Sequence, residues 1–148
     1  MEKSWFKNPA DKTKKVFFFA DTPHVLKLLR NWFLDTGFVL NNNVYVDKTP
    51  IRALIELDSN ELKVCHKLDK HHLECVGAER QNVRLAAQLF SNTTAKALEL
   101  YKPVNDVNLI RNLSAFIASV NDWFDVMNTY VPQQSLQTSK CGYGLYEV

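Results

Sequence analysis

The segment DVNLIRNLSAFIASVNDWFDVMNTY, residues 106–130, carries the clearest pattern in the chain. Ile110, Leu113, Ile117, Val120, Phe124 and Met127 recur in it at alternating intervals of three and four. Such spacing draws one apolar stripe along an α-helix and predicts bundle-type packing. Pro132 closes the pattern, because proline cannot continue a helix. Further back, residues 81–100 predict another long helix, with Val83, Ala86, Ala87, Phe90, Ala97 and Leu98 on its buried side. Thr49-Pro50 opens a shorter helix with Ile51, Leu54 and Ile55 turned inward. Residues 58–72 read as helix, break, helix. The first helix is predicted over residues 23–35, with Val25, Leu26, Leu28, Leu29, Trp32 and Phe33 on one broad face. Thr22 is its expected N-cap, Pro23 its first residue and Gly37 the residue after its end.

Two stretches fall outside this helical rhythm. Phe38 to Leu40 and Val44 to Val46 flank Asn41-Asn42-Asn43, and asparagine tolerates the left-handed backbone a tight hairpin needs. Residues 16–20, VFFFA, form a short continuous apolar run, which predicts a strand buried on both faces. Such a strand needs neighbours, either within this chain or beyond it. Residues 1–15 read as an irregular lead-in and residues 132–148 as a C-terminal tail. The fold class expected is mainly α, with one N-terminal strand and a small hairpin.

Composition bounds the function. The 148 residues are 46% hydrophobic and 23% charged, which suits one globular domain with a sizeable core. The net charge of +2 is too small to make nucleic acid the default partner. Lys3, Lys7, Lys12, Lys14 and Lys15 make the start more basic, which reads as a solvated tail or a contact with a phosphate backbone. No apolar run approaches membrane-spanning length, so no membrane partner is expected, and the first residues lack the apolar core of a secretory signal. The odd set Cys65, Cys75 and Cys141 is expected to be reduced.

Few residues combine into a known chemical pattern. Gly37, Gly77, Gly142 and Gly144 build no phosphate-cradling loop. Cys65, His66, His71, His72 and Cys75 crowd together, but their spacing fits no zinc finger, so they read as surface histidines with buried thiols. Asp21 and Thr22 read as caps for a helix start, with His24 packed beside them. Asn121, Asp125 and Asn128 stand at i, i+4 and i+7, a polar stripe beside the apolar one. A carboxylate held there could accept two hydrogen bonds from a guanine edge, with Phe124 stacked on the base. The same pattern also describes an ordinary amphipathic helix.

Several blocks together resemble the P element-type (THAP-type) transposase family. They are Lys3-Ser4-Trp5-Phe6, Pro9-Ala10-Asp11, Phe19-Ala20-Asp21-Thr22-Pro23-His24 and Leu28-Leu29-Arg30-Asn31, then the run from Val83 to Ala95, then Asn121-Asp122-Trp123-Phe124-Asp125-Val126-Met127-Asn128. They occur in the family's order and span nearly the whole chain. The resemblance implies a helical insertion domain over residues 16–131 that interrupts an RNase H-like core. Residues 16–31 would then be the last strand of that core and the turn out of it. The family's insertion domain binds GTP and helps the transposase engage DNA ends. The resemblance places the catalytic carboxylates outside this chain, so no catalytic residue, no protein-held metal and no cleavage by the chain alone are expected.

The same resemblance assigns a nucleotide site. Phe124 would stack on guanine and Asp125 would read its N1–H and 2-amino group, with Asn128 nearby. Lys67 would face the phosphates, with or without Mg, and Val83 and Ser91 would line the site. Two positions depart from the family pattern. Asn82 replaces a lysine, and Asp58-Ser59-Asn60-Glu61 replaces an Asn-Lys-Ser-Asp run. These departures support the competing reading, a domesticated interaction or dimerisation module that has lost nucleotide binding. Both readings place the chain in the nucleus. Its expected partners are the remaining RNase H-like core, DNA ends through that core, or a protein partner that includes a second copy of itself.

Overall fold

The computed structural model describes residues 5–41, 43–57 and 64–128. The central helix, α5 (Val107–Met127), forms where the apolar stripe predicts it. Its start is capped by Asp106, whose carboxylate accepts from the Leu109 amide at 2.9 Å and satisfies a donor the first turn leaves over. Ile110, Leu113, Ile117 and Val120 are buried along one side, which packs on α4 (Asn92–Tyr101). The buried Ser114 hydroxyl lies 3.0 Å from the Ala95 carbonyl and 2.8 Å from the Glu99 carboxylate. It donates to one of them at a time and fixes the register of the two helices.

The single helix expected over residues 81–100 is two. α3 (Val83–Leu89) stops before Phe90, and α4 begins at Asn92. Ser91 accounts for the break. Its hydroxyl accepts from the Thr94 amide at 3.3 Å, while the Thr94 hydroxyl donates to the Gln88 carbonyl at 3.2 Å. One helix end and one helix start are thereby satisfied together. Apolar residues on both sides of the break keep the helical spacing and mask it in the sequence.

α1 (Thr22–Asp35) packs on α3 and α5. Asp21 takes the cap position instead of Thr22 and makes no side-chain cap bond. Pro23 removes one of the two amides such a cap would serve. Thr22 is buried inside the first turn and His24 is exposed, so the packed histidine expected there is not found. Below, Phe33 meets Phe90 edge-on at 5.6 Å and lies 6.3 and 6.4 Å from Phe38 and Phe116. These rings join Leu26, Leu54, Leu89, Leu98 and Ile117 in one core. Arg30 is also fully buried. Its guanidinium donates to the Arg80 carbonyl at 2.7 Å, to Asn31 at 2.9 Å and toward the Cys75 sulfur at 3.3 Å. Burial lowers its pKa from the ordinary value, and the Cys75 thiol opposes that shift.

The predicted small hairpin is present as β3 (Phe38–Val39) and β4 (Tyr45–Val46), with Asn43 left-handed in the turn. Gly37 precedes it at φ 69°, where a Cβ would come within 2.5 Å of the Val46 carbonyl oxygen. α2 (Thr49–Leu57) follows as expected. Of the helix-break-helix expectation over 58–72, residues 58–63 lie outside the described residues. The rest forms a turn over 64–67 and a single 3-10 turn, Lys70–His72. A further 3-10 helix, Gly77–Gln81, leads into α3.

The front of the chain differs most from expectation. β2 (Lys15–Phe17) pairs antiparallel with β1 (Trp5–Lys7), inside the stretch expected to be irregular. The strand is also not buried on both faces, since Phe17, Phe18 and Phe19 are 53%, 58% and 69% exposed. Among the described residues no helix is long and apolar enough to cross a membrane. The predicted tail, 132–148, and Cys141 lie outside the described residues.

Candidate functional site

The break between α3 and α4 opens a cleft of about 240 Å³. One wall is residues 65–68, the second is the α3 face carrying Arg84, Ala87 and Gln88, and the third is Ser91, Thr93 and Thr94. Cys65, Leu68 and Thr94 are buried at its base. His66, Lys67 and Arg84 are exposed and line it with cationic or donor groups. No carboxylate is among the lining residues. Gln88 is held from behind by His72, whose Nε2 lies 3.0 Å from Gln88 Oε1 and whose Nδ1 lies 2.9 Å from Asp69. His72 is therefore a buried structural histidine rather than a surface one. Cys65 and Cys75 are the buried thiols expected, and among the described residues no group of three His, Cys, Asp or Glu is placed to hold a metal.

The cleft suits an anion through its side chains. Two of the first α4 amides are already engaged, Asn92 by Asn121 Oδ1 at 3.2 Å and Thr94 by Ser91. Lys67, Arg84 and His66 are left to supply donors, since the Thr94 hydroxyl donates to the Gln88 carbonyl and the Ser91 hydroxyl lies 3.1 Å from the Thr94 hydroxyl. Cation–anion hydrogen bonds are the stronger kind.

The last turns of α5 adjoin this region. Asn121 donates to the Asp125 carboxylate at 2.8 Å while it accepts from Asn92, the neighbour of Ser91 and Thr93. Asp125 is exposed, and Phe124 is half-buried and packed against the core. Asn128 ends α5, with its amide donating to the Phe124 carbonyl at 2.9 Å. Of the residues named from sequence, Lys67 and Ser91 meet in the cleft. Val83 starts α3 beside Arg84 and packs on the core, outside the lining. Phe124, Asp125 and Asn128 share the α5 end.

Arg84, Gln88 and Thr93 are lining residues that the sequence reading assigns no role, and His66 enters it only in the Cys/His cluster. A signal for three of the lining residues exists. Arg84, Gln88 and Ser91 stand at i, i+4 and i+7, the spacing that Asn121, Asp125 and Asn128 show. The departure at Asn82 has a local reason, since its side chain caps α3 by accepting from the Arg84 and Leu85 amides at 3.0 and 3.4 Å. The other departure, residues 58–61, lies outside the described residues.

A cleft lined by Lys67 and Arg84 and joined to the polar end of α5, on this helical fold, points to a class. The sequence model of the TNP-like, GTP-binding insertion domain family matches residues 23–140, and the chain belongs to that family. Among particular proteins, the chain is 37% identical over 140 residues to the transposable element P transposase of Drosophila melanogaster, covering 94% of this chain and 18% of that protein. It is 26% identical to the DNA transposase THAP9 of Homo sapiens, covering 86% of this chain and 14% of that one. The solved Drosophila P element transposase strand transfer complex superposes on 97% of this chain and 33% of its own, with a TM-score of 0.81 and 34% identity. The chain thus spans less than a fifth of the length of the curated relatives it matches.

Proposed function

We propose that this chain binds a guanine nucleotide, with the phosphates in the cleft and the base at the end of α5, as the insertion domain of a P element-type transposase or a protein derived from one. The observation that carries the reading is the connection between the two ends, from Asn92, which lies between the cleft-lining Ser91 and Thr93, through Asn121 to Asp125. The cleft volume is below that of a pocket for a whole drug-sized ligand, about 300 Å³ or more. It suits the polyphosphate portion. Lys67 and Arg84 pair with phosphate oxygens, Thr93 adds a hydroxyl donor beside Ser91, and Asp125 accepts from N1–H and the 2-amino group. Phe124 offers part of its ring to the base, with Val83 and Asn128 at the margins. The absence of lining carboxylates fits an anion. A Mg ion would ride on the phosphate oxygens rather than on the cleft's own side chains.

In this reading the chain works in the nucleus, on DNA ends, through the rest of the protein that carries it. Residues 16–31 lead from an RNase H-like core into the insertion, and the exposed rings of Phe17, Phe18 and Phe19 await partners there. The chain contributes binding and assembly, and chemistry resides in carboxylates elsewhere.

The phosphate end is tested with Lys67→Ala and Arg84→Ala in equilibrium titrations. Each is expected to weaken GTP and GDP by about tenfold, since a hydrogen bond to a charged group is worth about 1.5–3 kcal/mol before solvent screening at an exposed site. GTP affinity unchanged in both variants would overturn this placement.

A further inference from the structure

Asn121 stands between the two ends of the site, and its side-chain amide has one orientation that serves both neighbours. Oδ1 accepts from the Asn92 backbone amide at 3.2 Å, and Nδ2 donates to Asp125 Oδ2 at 2.8 Å. The reversed amide would set N–H against N–H and oxygen against carboxylate, so the network itself decides which way the side chain points. The Asn92 amide belongs to the first residue of α4, between Ser91 and Thr93 in the cleft wall. One oxygen of the exposed Asp125 is therefore tied, through a single side chain, to the backbone of the phosphate cleft.

We infer that Asn121 is the positioning residue for base recognition, holding the Asp125 carboxylate plane ready for the two adjacent donors of a guanine edge. The inference rests on the guanine-nucleotide reading above. A carboxylate meets two parallel N–H groups with both oxygens only when its plane is aligned with them. A free aspartate on a helix surface samples several rotamers, and ordering it on binding costs affinity. Asn121 orders it beforehand. A carboxylate oxygen has two acceptor sites, so Oδ2 can hold Asn121 and still meet the base. The same side chain sets the spacing between base reader and cleft, because it grips both.

Asn121→Asp separates this role from a structural one. The substituted carboxylate has the same shape, still accepts the Asn92 amide and suits a helix N-terminus. It repels Asp125 instead of holding it. Asn121→Ala removes both contacts and serves as the second variant. Dissociation constants of the full chain for GTP and for ATP are measured by calorimetric titration in wild type and both variants, with thermal melting as the check on folding. The ratio of the two constants cancels any general repulsion between the added charge and a triphosphate. The preference for GTP is expected to fall about tenfold in both variants, equivalent to about 1.4 kcal/mol. A full GTP preference in a folded Asn121→Asp chain overturns the inference and leaves the nucleotide reading standing. A wild-type chain without preference for GTP over ATP overturns that reading and the inference with it.

Discussion

The two ends of the candidate site are built in opposite ways. The cleft, the proposed phosphate end, is concave and assembled from three separate segments: residues 65–68, α3 and the first turn of α4. The proposed base end is one helix surface, the last turns of α5, where Asp125 is exposed and Phe124 half-buried. Charge attraction to phosphate is tolerant of angle and shared by any nucleotide. Reading a base edge depends on direction and belongs to one carboxylate. The difference teaches that affinity and selectivity should separate on mutation: the cleft governs how tightly any nucleotide binds, and α5 governs which one.

The largest effect should come from the base end. Asp125→Ala is expected to weaken GTP by about 10- to 100-fold, the worth of a good bidentate base contact at about 1–3 kcal/mol, while ATP affinity stays near its wild-type value. Competition titrations with both nucleotides measure this, and equal losses for GTP and ATP would break the separation. Because Asp125 lies on the exposed side of α5, the variant should melt near wild type.

Ser91→Ala comes next and joins stability to the cleft. Ser91 both caps α4 and lines the site. Its loss should cost about 1 kcal/mol in denaturant unfolding, the usual cost of removing such a cap. It should also weaken GTP and ATP equally. A selective loss of GTP would place Ser91 at the base rather than at the phosphates.

The smallest effect should come from a pair away from both ends. The hydrogen bond and charge of Arg80 hold the Asp35 carboxyl below its usual value of 3.8. A carboxyl lowered in the folded state stabilises above its unfolded pKa, and that contribution is lost as pH falls through the folded value. Asp35→Asn should therefore cost roughly 0.5 kcal/mol or less at neutral pH, since both side chains reach solvent, and should remove that part of the decline below about pH 4. GTP affinity should be unchanged. A clear loss of binding would show that the two ends are not the whole site.

Much of the helical body was legible because its cues are local. The i, i+3, i+4 stripe from Ile110 to Met127 fixes α5, Thr49-Pro50 starts α2, and Gly37 with Asn43 marks the hairpin. The α3–α4 break was obscured because Phe90 and Ala97 keep apolar spacing across it, whereas the break is made by Ser91 and Thr94 hydroxyls bonding backbone groups. Phenylalanine shows the limit most clearly. Phe33 and Phe90 interlock in the core while Phe18 and Phe19 are exposed, and composition alone does not reveal what covers a ring. At the site, Lys67 and Ser91 rest on the resemblance, while Asp125 stands out from the polar stripe as well. Arg84 carried a spacing signal with Gln88 and Ser91, and His66 stood in the Cys/His cluster, but neither pattern points to a cleft made of three segments. Asn121 was visible as part of a stripe, but its second partner, the Asn92 amide, is 29 residues away and belongs to the fold.

Thermal melting of the full chain with and without nucleotide tests the central claim most directly. For a dissociation constant of about 10 µM, about 1 mM GTP stands roughly 100-fold above it and should add about 2.7 kcal/mol of stability. In a domain of this size that corresponds to a rise in Tm of roughly 5 °C or more. ATP at the same concentration should raise it much less, because its N1 is an acceptor where Asp125 requires a donor. A GTP shift no larger than the ATP shift would contradict the account.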